Sequence, residues 1–247
     1  MTPLRLSECT WKEAEAFAGG VALLPCGATE AHGPHLPLAT DVIISETAAL
    51  RAVQTLRAEK VPSAVLPPLA YAVTEFAASF SGTVSLPLET ATALTRDVIL
   101  GAVRSGFAGV VLCNAHLEPG NLQALTAGMK AAIAEGAKAA FPDVTKKPHA
   151  LRLGDEFKSG ACHAGRYETS LVMAADPFHV RREIAESLAP NPHSLSTAIR
   201  EGKQNFLEAG GPAAYFGFPA EATEAEGHSL YGELADIFAT AARELLG

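Results

Sequence analysis

The segment that decides the fold is "GVALLPCGATEAHGPHLPLATDVIISE", residues 20–46. Its first part, 20–27, is a short apolar run that proline and glycine close, which is typical of a strand buried in a parallel sheet. From Asp41 to Lys60 apolar residues recur at helical spacing. Between strand and helix, a stretch stiffened by prolines carries metal-capable side chains. The segment therefore predicts a strand, a loop suited to metal ligands and a helix.

The rest of the chain repeats this alternation of strand and helix. Two further strands are predicted at "VPSAVLPP" (61–68) and "FAGVVLCNA" (107–115), with helices at "ETATALTRDVILGAVRSG" (89–106) and "ATEAEGHSLYGELADIFATAARELL" (222–246). Such alternation indicates an α/β fold with a mostly parallel central sheet. At 247 residues the chain suits one large core, so a single domain spanning 1–247 is expected. The segments 67–88 and 141–163 read as long excursions, and the second is a candidate lid.

Composition restricts the classes of partner. The net charge is −8, with 19 Lys+Arg against 27 Asp+Glu, and no basic cluster occurs, which argues against nucleic acid or an anionic membrane as a partner. No apolar run reaches the roughly 18 residues of a spanning helix, and the first ten residues contain no signal-peptide core. We therefore expect a cytoplasmic protein with a small-molecule substrate.

The cysteines also fit a reducing cytoplasm, because they are scattered without a CxxC pair: Cys9, Cys26, Cys113 and Cys162. Cys26 and Cys113 flank the predicted functional loops. They are interpreted as small buried hydrophobic residues at strand ends, with thiolate ligands or nucleophiles as the alternative.

Metal-capable side chains follow two of the predicted strands. Glu30, His32 and Asp41 follow the strand 20–26, and His116 and Glu118 in "NAHLEPGN" (114–121) follow the strand 107–113. Ligands gather beyond the carboxyl ends of parallel strands, so both loops should open on the same side. Two imidazoles and three carboxylates are too many for one tetrahedral zinc but suit two divalent ions that share a carboxylate and generate a hydroxide nucleophile. Hydrolysis of a carbon–nitrogen bond is the natural use.

Each of these residues has a structural alternative. Asp41 could be a helix N-cap, and Glu118 could be a first-turn acid that complements a helix dipole. Glu30 could be a solvated loop acid. His35 is more readily interpreted as a structural histidine, because His32 and His35 cannot easily both bind a metal. Five separate structural roles on two loops are nevertheless less credible than one shared metal site.

The same residues resemble a known family. "LPCGATEAHGPHLPLATD" (24–41) is similar to the signature of the creatininase (creatinine amidohydrolase) family, and "NAHLEPGN" and "HAGRYETS" (163–170) resemble two further segments of that family, in the expected order. The resemblance implies a three-layer α/β/α sandwich, a homo-oligomer that is commonly a hexamer, and a binuclear centre of two divalent ions. Zinc is the first expectation and manganese the alternative.

The resemblance also implies roles for individual residues. Glu30 and His116 would bind one metal, His32 and Glu118 the other, and Asp41 would bridge them. His163 would be the catalytic histidine that donates a proton, Glu168 an acid behind it, and Glu118 would also take part in catalysis.

The departures from the family pattern concern the substrate. Ala31, Ala115 and Arg166 stand where family members often have glutamine, glycine and an acid. The family's tryptophan lids are also missing, because the single tryptophan, Trp11, lies far from both lid segments. We therefore expect an amidohydrolase for a small cyclic amide or a formamide. The alternatives are a peptidase for a short modified peptide, and a non-catalytic α/β protein that binds a ligand in the same crevice.

Overall fold

A four-stranded parallel sheet forms the centre of the molecule in the computed structural model, which describes residues 2–247. The strands are β1 (Val21–Cys26), β2 (Ser63–Val65), β3 (Gly109–Asn114) and β4 (Ala139–Ala140), in the order β2-β1-β3-β4. The strands predicted at 20–27, 61–68 and 107–115 are confirmed. The two-residue β4 is too short to show a periodic pattern and was not predicted.

Helices connect and cover the strands. They are α1 (Trp11–Ala14), α2 (Thr40–Ala58), α3 (Leu88–Arg104), α4 (Pro119–Ala134), α5 (Gly154–Ser159), α6 (Arg166–Ala175), α7 (Arg182–Ser187), α8 (Leu195–Arg200) and α9 (Glu224–Leu246). The predicted helices at 41–60, 89–106 and 222–246 correspond to α2, α3 and α9. None of the helices within residues 2–247 combines the length and apolarity needed to cross a membrane.

Side chains of β1 alternate between two hydrophobic cores, as the period of two residues in a strand requires. Val21 and Leu23 pack in a core with residues of α2, α6 and α9, whereas Ala22 and Leu24 pack in a second core with residues of α3 and α4. Helices therefore lie on both faces of the parallel sheet. The predicted three-layer α/β/α sandwich is confirmed.

The junction between β1 and α2 brings Asp41 to the edge of the sheet. A Cβ atom at Gly27 would lie 2.6 Å from the amide nitrogen of Val42 and 2.7 Å from the carbonyl carbon of Asp41, so only glycine allows this approach. On the neighbouring strand, the amide of Ala115 donates to the carbonyl of Cys26 at 3.0 Å. The two loops predicted to share one side thus leave adjacent strand ends.

The two predicted excursions differ in secondary structure. The predicted excursion 67–88 runs without helix or sheet strand, apart from isolated bridges, until α3 begins at Leu88. The segment 141–163 contains a 3-10 turn at His149–Arg152 and the helix α5.

Cys26 and Cys113 lie buried in β1 and β3, and burial raises the pKa of both thiols, which favours the hydrophobic interpretation.

Candidate metal centre

Two groups of metal-capable side chains meet at Asp41. Glu30, Asp41 and His116 form one group, and His32, Asp41 and Glu168 form the other, with the potential ligand atoms of each group within 4.8 Å of one another. Asp41 Oδ1 lies 3.2 Å from His32 Nε2, and Asp41 Oδ2 lies 3.1 Å from His116 Nδ1. Asp41 therefore presents one oxygen to each group, which is the arrangement of a bridging carboxylate.

The position of Asp41 argues against its structural alternative. Helix α2 begins at Thr40 and its N-cap residue is Ala39, so Asp41 lies inside the first turn. Its side chain is 2% exposed and faces the two histidines rather than the backbone amides of its own helix. The N-cap interpretation is thus not supported.

Backbone carbonyls fix the orientation of both histidines. His32 Nδ1 lies 3.2 Å from the carbonyl of Glu30, and His116 Nε2 lies 2.8 Å from the carbonyl of Val73. A carbonyl only accepts, so these nitrogens carry the hydrogen in the neutral ring. The opposite nitrogen of each ring then directs its lone pair at the carboxylates, as metal-binding histidines do.

The carboxylates of the cluster favour a positive charge at its centre. Burial opposes the charged form of His32, yet the carboxylates of Asp41, Glu168 and Glu30 raise its pKa to about 10. Burial likewise opposes charge on His116, whose pKa the carboxylates of Glu30 and Asp41 raise well above the usual value. Within residues 2–247, His32 Nε2 and Asp41 Oδ2 are buried without a hydrogen-bond partner. Three carboxylates and two oriented imidazoles in a buried space fit two divalent cations.

The two outer carboxylates are each held by a further group. Thr74 is fully buried and donates its hydroxyl hydrogen to Glu30 Oε2. The amide of Ala164 donates to Glu168 Oε2 at 2.6 Å. Burial raises the pKa of Glu168 to about 8, against the lowering effect of His32. Such supporting hydrogen bonds fix the direction in which a carboxylate can bind a metal.

Glu118 occupies a different place from the one expected. Its Oε1 accepts from the amide of Glu75 at 2.9 Å and its Oε2 from the amide of Phe76 at 3.2 Å, and within residues 2–247 it joins neither group centred on Asp41. The resemblance assigned Glu118 to the metal of His32, whereas within the described residues the carboxylate that groups with His32 and Asp41 is that of Glu168. Glu118 nevertheless lines the same cavity, and burial raises the pKa of its carboxyl.

His163 lies against the centre and presents one nitrogen to it. Its Nε2 lies 3.0 Å from the carbonyl of Ala31, which leaves Nδ1 as the acceptor of the neutral ring, 3.9 Å from Glu30 Oε1. The ring lies between those of His32 and Phe206, with a centroid distance of 4.4 Å to each. Burial and the charge of His32 lower its pKa to about 4. His163 also forms a third potential metal group with Glu30 and His32.

His35 lies outside these groups. Its ring is fully buried, and its Nε2 lies 2.9 Å from the hydroxyl of Thr169 in α6. Burial lowers its pKa to about 4. His35 thus ties the loop that carries Glu30 and His32 to the helix that carries Glu168, which favours the structural interpretation.

Sequence reasoning missed two side chains that support the site. Thr74 lies in the stretch without periodicity, where no pattern marks it. Glu156 is 6% exposed and accepts hydrogen bonds from three backbone amides, those of Arg166, Tyr167 and Phe218, at 2.9, 2.6 and 2.7 Å. In the sequence it is one of two adjacent acids before an apolar residue, so only the fold distinguishes it from its exposed neighbour Asp155.

The centre opens into a cavity of about 430 Å³. Glu30, Asp41, His116, Glu118, His163 and Glu168 all contribute to its lining. Much of the remaining lining comes from the segment 145–163 and from α8, so the candidate lid does border the site. Trp11 is 71% exposed and does not line this cavity.

Comparisons with known proteins identify the family of this chain. The family model for creatininase, described as creatinine amidohydrolase, matches residues 7–242. The mycofactocin precursor peptide peptidase of Mycobacterium tuberculosis (strain ATCC 25618 / H37Rv) is 33% identical over 225 residues, covering 87% of this chain and 81% of the relative. The creatinine amidohydrolase of Pseudomonas putida is 33% identical over 195 residues, covering 70% of this chain and 72% of the relative.

Solved structures show the same fold. The crystal structure of a creatinine amidohydrolase (creatininase) superposes with a TM-score of 0.81 at 26% identity, covering 99% of this chain and 98% of the other. A second structure, named "Creatininase Mn", has a TM-score of 0.72 at 25% identity and covers 98% of each chain.

Proposed function

Because the chain belongs to the creatininase family, we propose that it is a metal-dependent amidohydrolase that cleaves a carbon–nitrogen bond in a small cyclic amide or a formamide. The observation that carries this proposal is the shared carboxylate of Asp41, which faces His32 with one oxygen and His116 with the other. A protein that only bound a ligand would have no need of two such groups and a histidine beside them.

The residues divide into two ligand sets. Glu30, Asp41 and His116 would hold one divalent ion, and His32, Asp41 and Glu168 the second. Bound ions would polarise the amide carbonyl and lower the pKa of a water molecule in the cavity. Mixed imidazole and carboxylate ligands suit zinc, our first expectation, and also manganese, which the name of one structural neighbour contains.

Two further residues would move protons. His163 holds a lone pair on Nδ1 at the cavity, so this atom would take up a proton and deliver it to the leaving nitrogen of the amide. The carboxylate of Glu118, fixed by the amides of Glu75 and Phe76, would accept the proton of the attacking water. Both roles depend on the position of these atoms in the same cavity.

A peptidase for a short modified peptide is the second candidate. A relative with 33% identity is named a peptide peptidase, and a cavity of about 430 Å³ can accept more than a small ring. Both candidates use the same bond chemistry and the same residues, so they differ only in the groups that flank the amide.

We also propose that the protein is cytoplasmic and, on the strength of the family alone, that it is a homo-oligomer such as a hexamer. Sedimentation at micromolar concentration tests this proposal, and a monomer would contradict it.

Metal quantification tests the proposed function most directly. We expect about two zinc or manganese ions per chain of the purified protein, and the loss of both in Asp41→Ala, because one bridging carboxylate serves each ion. Asp97→Ala, at an exposed position on α3, should retain both ions. Retention of one or both ions by Asp41→Ala would contradict the bridging role, and a metal-loaded protein inactive on cyclic amides, formamides and peptides would contradict the hydrolase.

A further inference from the structure

The cavity in front of the metal groups has an apolar wall built from several separate segments. Its apolar side chains include Leu117, Leu151, Phe157, Leu195, Ile199 and Phe206, which come from the loop after β3, the candidate lid, α5, α8 and the segment after α8. Several elements thus converge on one apolar compartment beside the polar centre. An apolar group of matching size would be desolvated there, whereas a small polar ring would leave the compartment unused.

The same cavity contains two cationic side chains, Lys147 and Lys158. Lys158 is paired with Asp155, with 2.6 Å between Nζ and Oδ1. For Lys147, by contrast, the described part of the chain provides no ion pair within 4.0 Å. A lysine ammonium at the cavity is complementary to an anionic group on a ligand.

From these features we infer that the substrate is an N-acylated apolar α-amino acid, an inference that rests on the proposed function. The amide bond would lie at the metal groups, the apolar side chain in the compartment that includes Leu195 and Ile199, and the α-carboxylate at Lys147. Hydrolysis of such a formamide adds water across the amide, so the acyl carbon takes the hydroxyl and is released as formate, and the nitrogen takes the proton and is released as the free amino acid.

An N-acylated apolar amino acid can be a small molecule or the carboxyl-terminal residue of a peptide. A panel of substrates distinguishes the two. N-formyl-L-leucine represents a small acylated amino acid, and acetyl-glycyl-L-leucine represents the carboxyl-terminal residue of a peptide. N-formylglycine lacks the apolar side chain, and N-formyl-L-leucinamide lacks the carboxylate. We expect kcat/KM for at least one of the two leucine acids to exceed that for N-formylglycine by about 10- to 100-fold, the range that apolar pocket contacts supply.

Two variants, each with a matched control, test which residues produce the preference for a carboxylate and the preference for an apolar side chain. Lys147→Met should reduce the ratio of kcat/KM for N-formyl-L-leucine over its amide by roughly tenfold, whereas Lys146→Met, at the neighbouring exposed position outside the cavity lining, should not change it. Ile199→Ala should lower kcat/KM for the leucine substrate about tenfold and have little effect on the glycine substrate. Leu207→Ala, at an exposed position that does not line the cavity, is the control.

Failure of this inference can be separated from failure of the proposed function. Equal hydrolysis of the leucine acid, its amide and the glycine compound would overturn the inference and leave the amidohydrolase intact. If nothing on the panel is hydrolysed, calorimetry with N-formyl-L-leucine on the metal-loaded protein decides the case. Binding that weakens in Lys147→Met and not in Lys146→Met would support the subsite and contradict only the hydrolase, whereas no binding would overturn the inference.

Discussion

Within the described residues, His163 lies beside the two groups centred on Asp41 but belongs to neither, so its replacement leaves those potential metal ligands in place. Its Nε2 is bound by the carbonyl of Ala31, so Nδ1 alone is available to the cavity. We predict that His163→Ala keeps its metal content and loses about 10²- to 10⁴-fold in kcat, the usual contribution of a positioned acid or base. Metal analysis and kinetics on the same preparation check this.

Two other roles for His163 predict different outcomes for this variant. If His163 binds a metal with Glu30 and His32, its replacement should lower the metal content as well as the rate. If its ring only fills the space between His32 and Phe206, the variant should lose thermal stability and retain its rate.

Thr74 acts on the centre through a single hydrogen bond. Its hydroxyl donates to Glu30 Oε2, and Glu30 Oε1 lies 3.3 Å from His116 Nδ1, so the bond fixes which oxygen faces the histidine. Thr74→Val keeps the shape of the side chain and removes the donor. We predict a metal affinity weaker by about 10- to 100-fold, as for other hydrogen bonds that orient ligands. Competition with a chromogenic chelator measures it.

Thr95→Val is the matched control for this variant. Thr95 is as deeply buried as Thr74, but its hydroxyl donates to the carbonyl of Ala91 within α3, away from the metal groups. Metal affinity should not change in Thr95→Val. A similar loss in both variants would attribute the effect to general destabilisation rather than to the orientation of Glu30.

At the scale of elements, Glu156 of α5 joins two segments that border the site. Its Oε1 accepts from the amides of Arg166 and Phe218, and its Oε2 from the amide of Tyr167, at the start of the helix that carries Glu168. In Glu156→Gln at least one of these amides must face an NH₂ group. We predict a loss of about 1–3 kcal/mol in the free energy of unfolding and a fall in Tm of several degrees.

Asp155→Asn makes the same change of charge one residue away. Asp155 has a 92% exposed side chain and pairs with Lys158 on the same short helix, so this variant should unfold at nearly the wild-type temperature. Equal Tm values for Glu156→Gln and the wild type would show that the three amide contacts contribute little to stability.

The elements that could be predicted from the sequence are those with long local patterns. β1 and β3 coincide with continuous apolar runs and α2 and α9 with helical patterns, and the strand–loop–helix order placed Glu30, His32 and Asp41 on the same edge as His116. The grouping of Glu168 with His32 and Asp41 could not be predicted. It depends on how α6 packs against α2 and α9, and on the backbone amides of Glu75 and Phe76, which lie in a stretch without any period.

At the scale of the whole molecule, the centre joins distant parts of the chain. Its side chains come from the loop after β1, the start of α2, the loop after β3 and the start of α6. Metal that binds only the folded chain stabilises it by about 2.7 kcal/mol per site at a hundredfold excess over Kd. For two sites in a chain of this size, we predict that chelation lowers Tm by roughly 10 to 20 °C, and that added zinc or manganese restores it.

Chelation should have no comparable effect on Asp41→Ala, because that variant lacks the carboxylate shared by both ions. Differential scanning calorimetry of both proteins, with and without chelator, makes the comparison. A wild-type Tm that does not respond to chelation would show that the fold holds the buried carboxylates together without metal.

The metal-free protein should also respond to pH in a defined direction. Without ions the pKa of His32 is raised to about 10 by the facing carboxylates, and that of Glu168 to about 8 by burial. Both pKa values lie above those of the unfolded chain, so the folded protein binds more protons and its stability falls as pH rises. The contribution of His32 is complete below about pH 6.5 and is lost as pH rises through about 10. We therefore predict that chelation lowers Tm more at pH 9 than at pH 6, and a larger effect at pH 6 would contradict this.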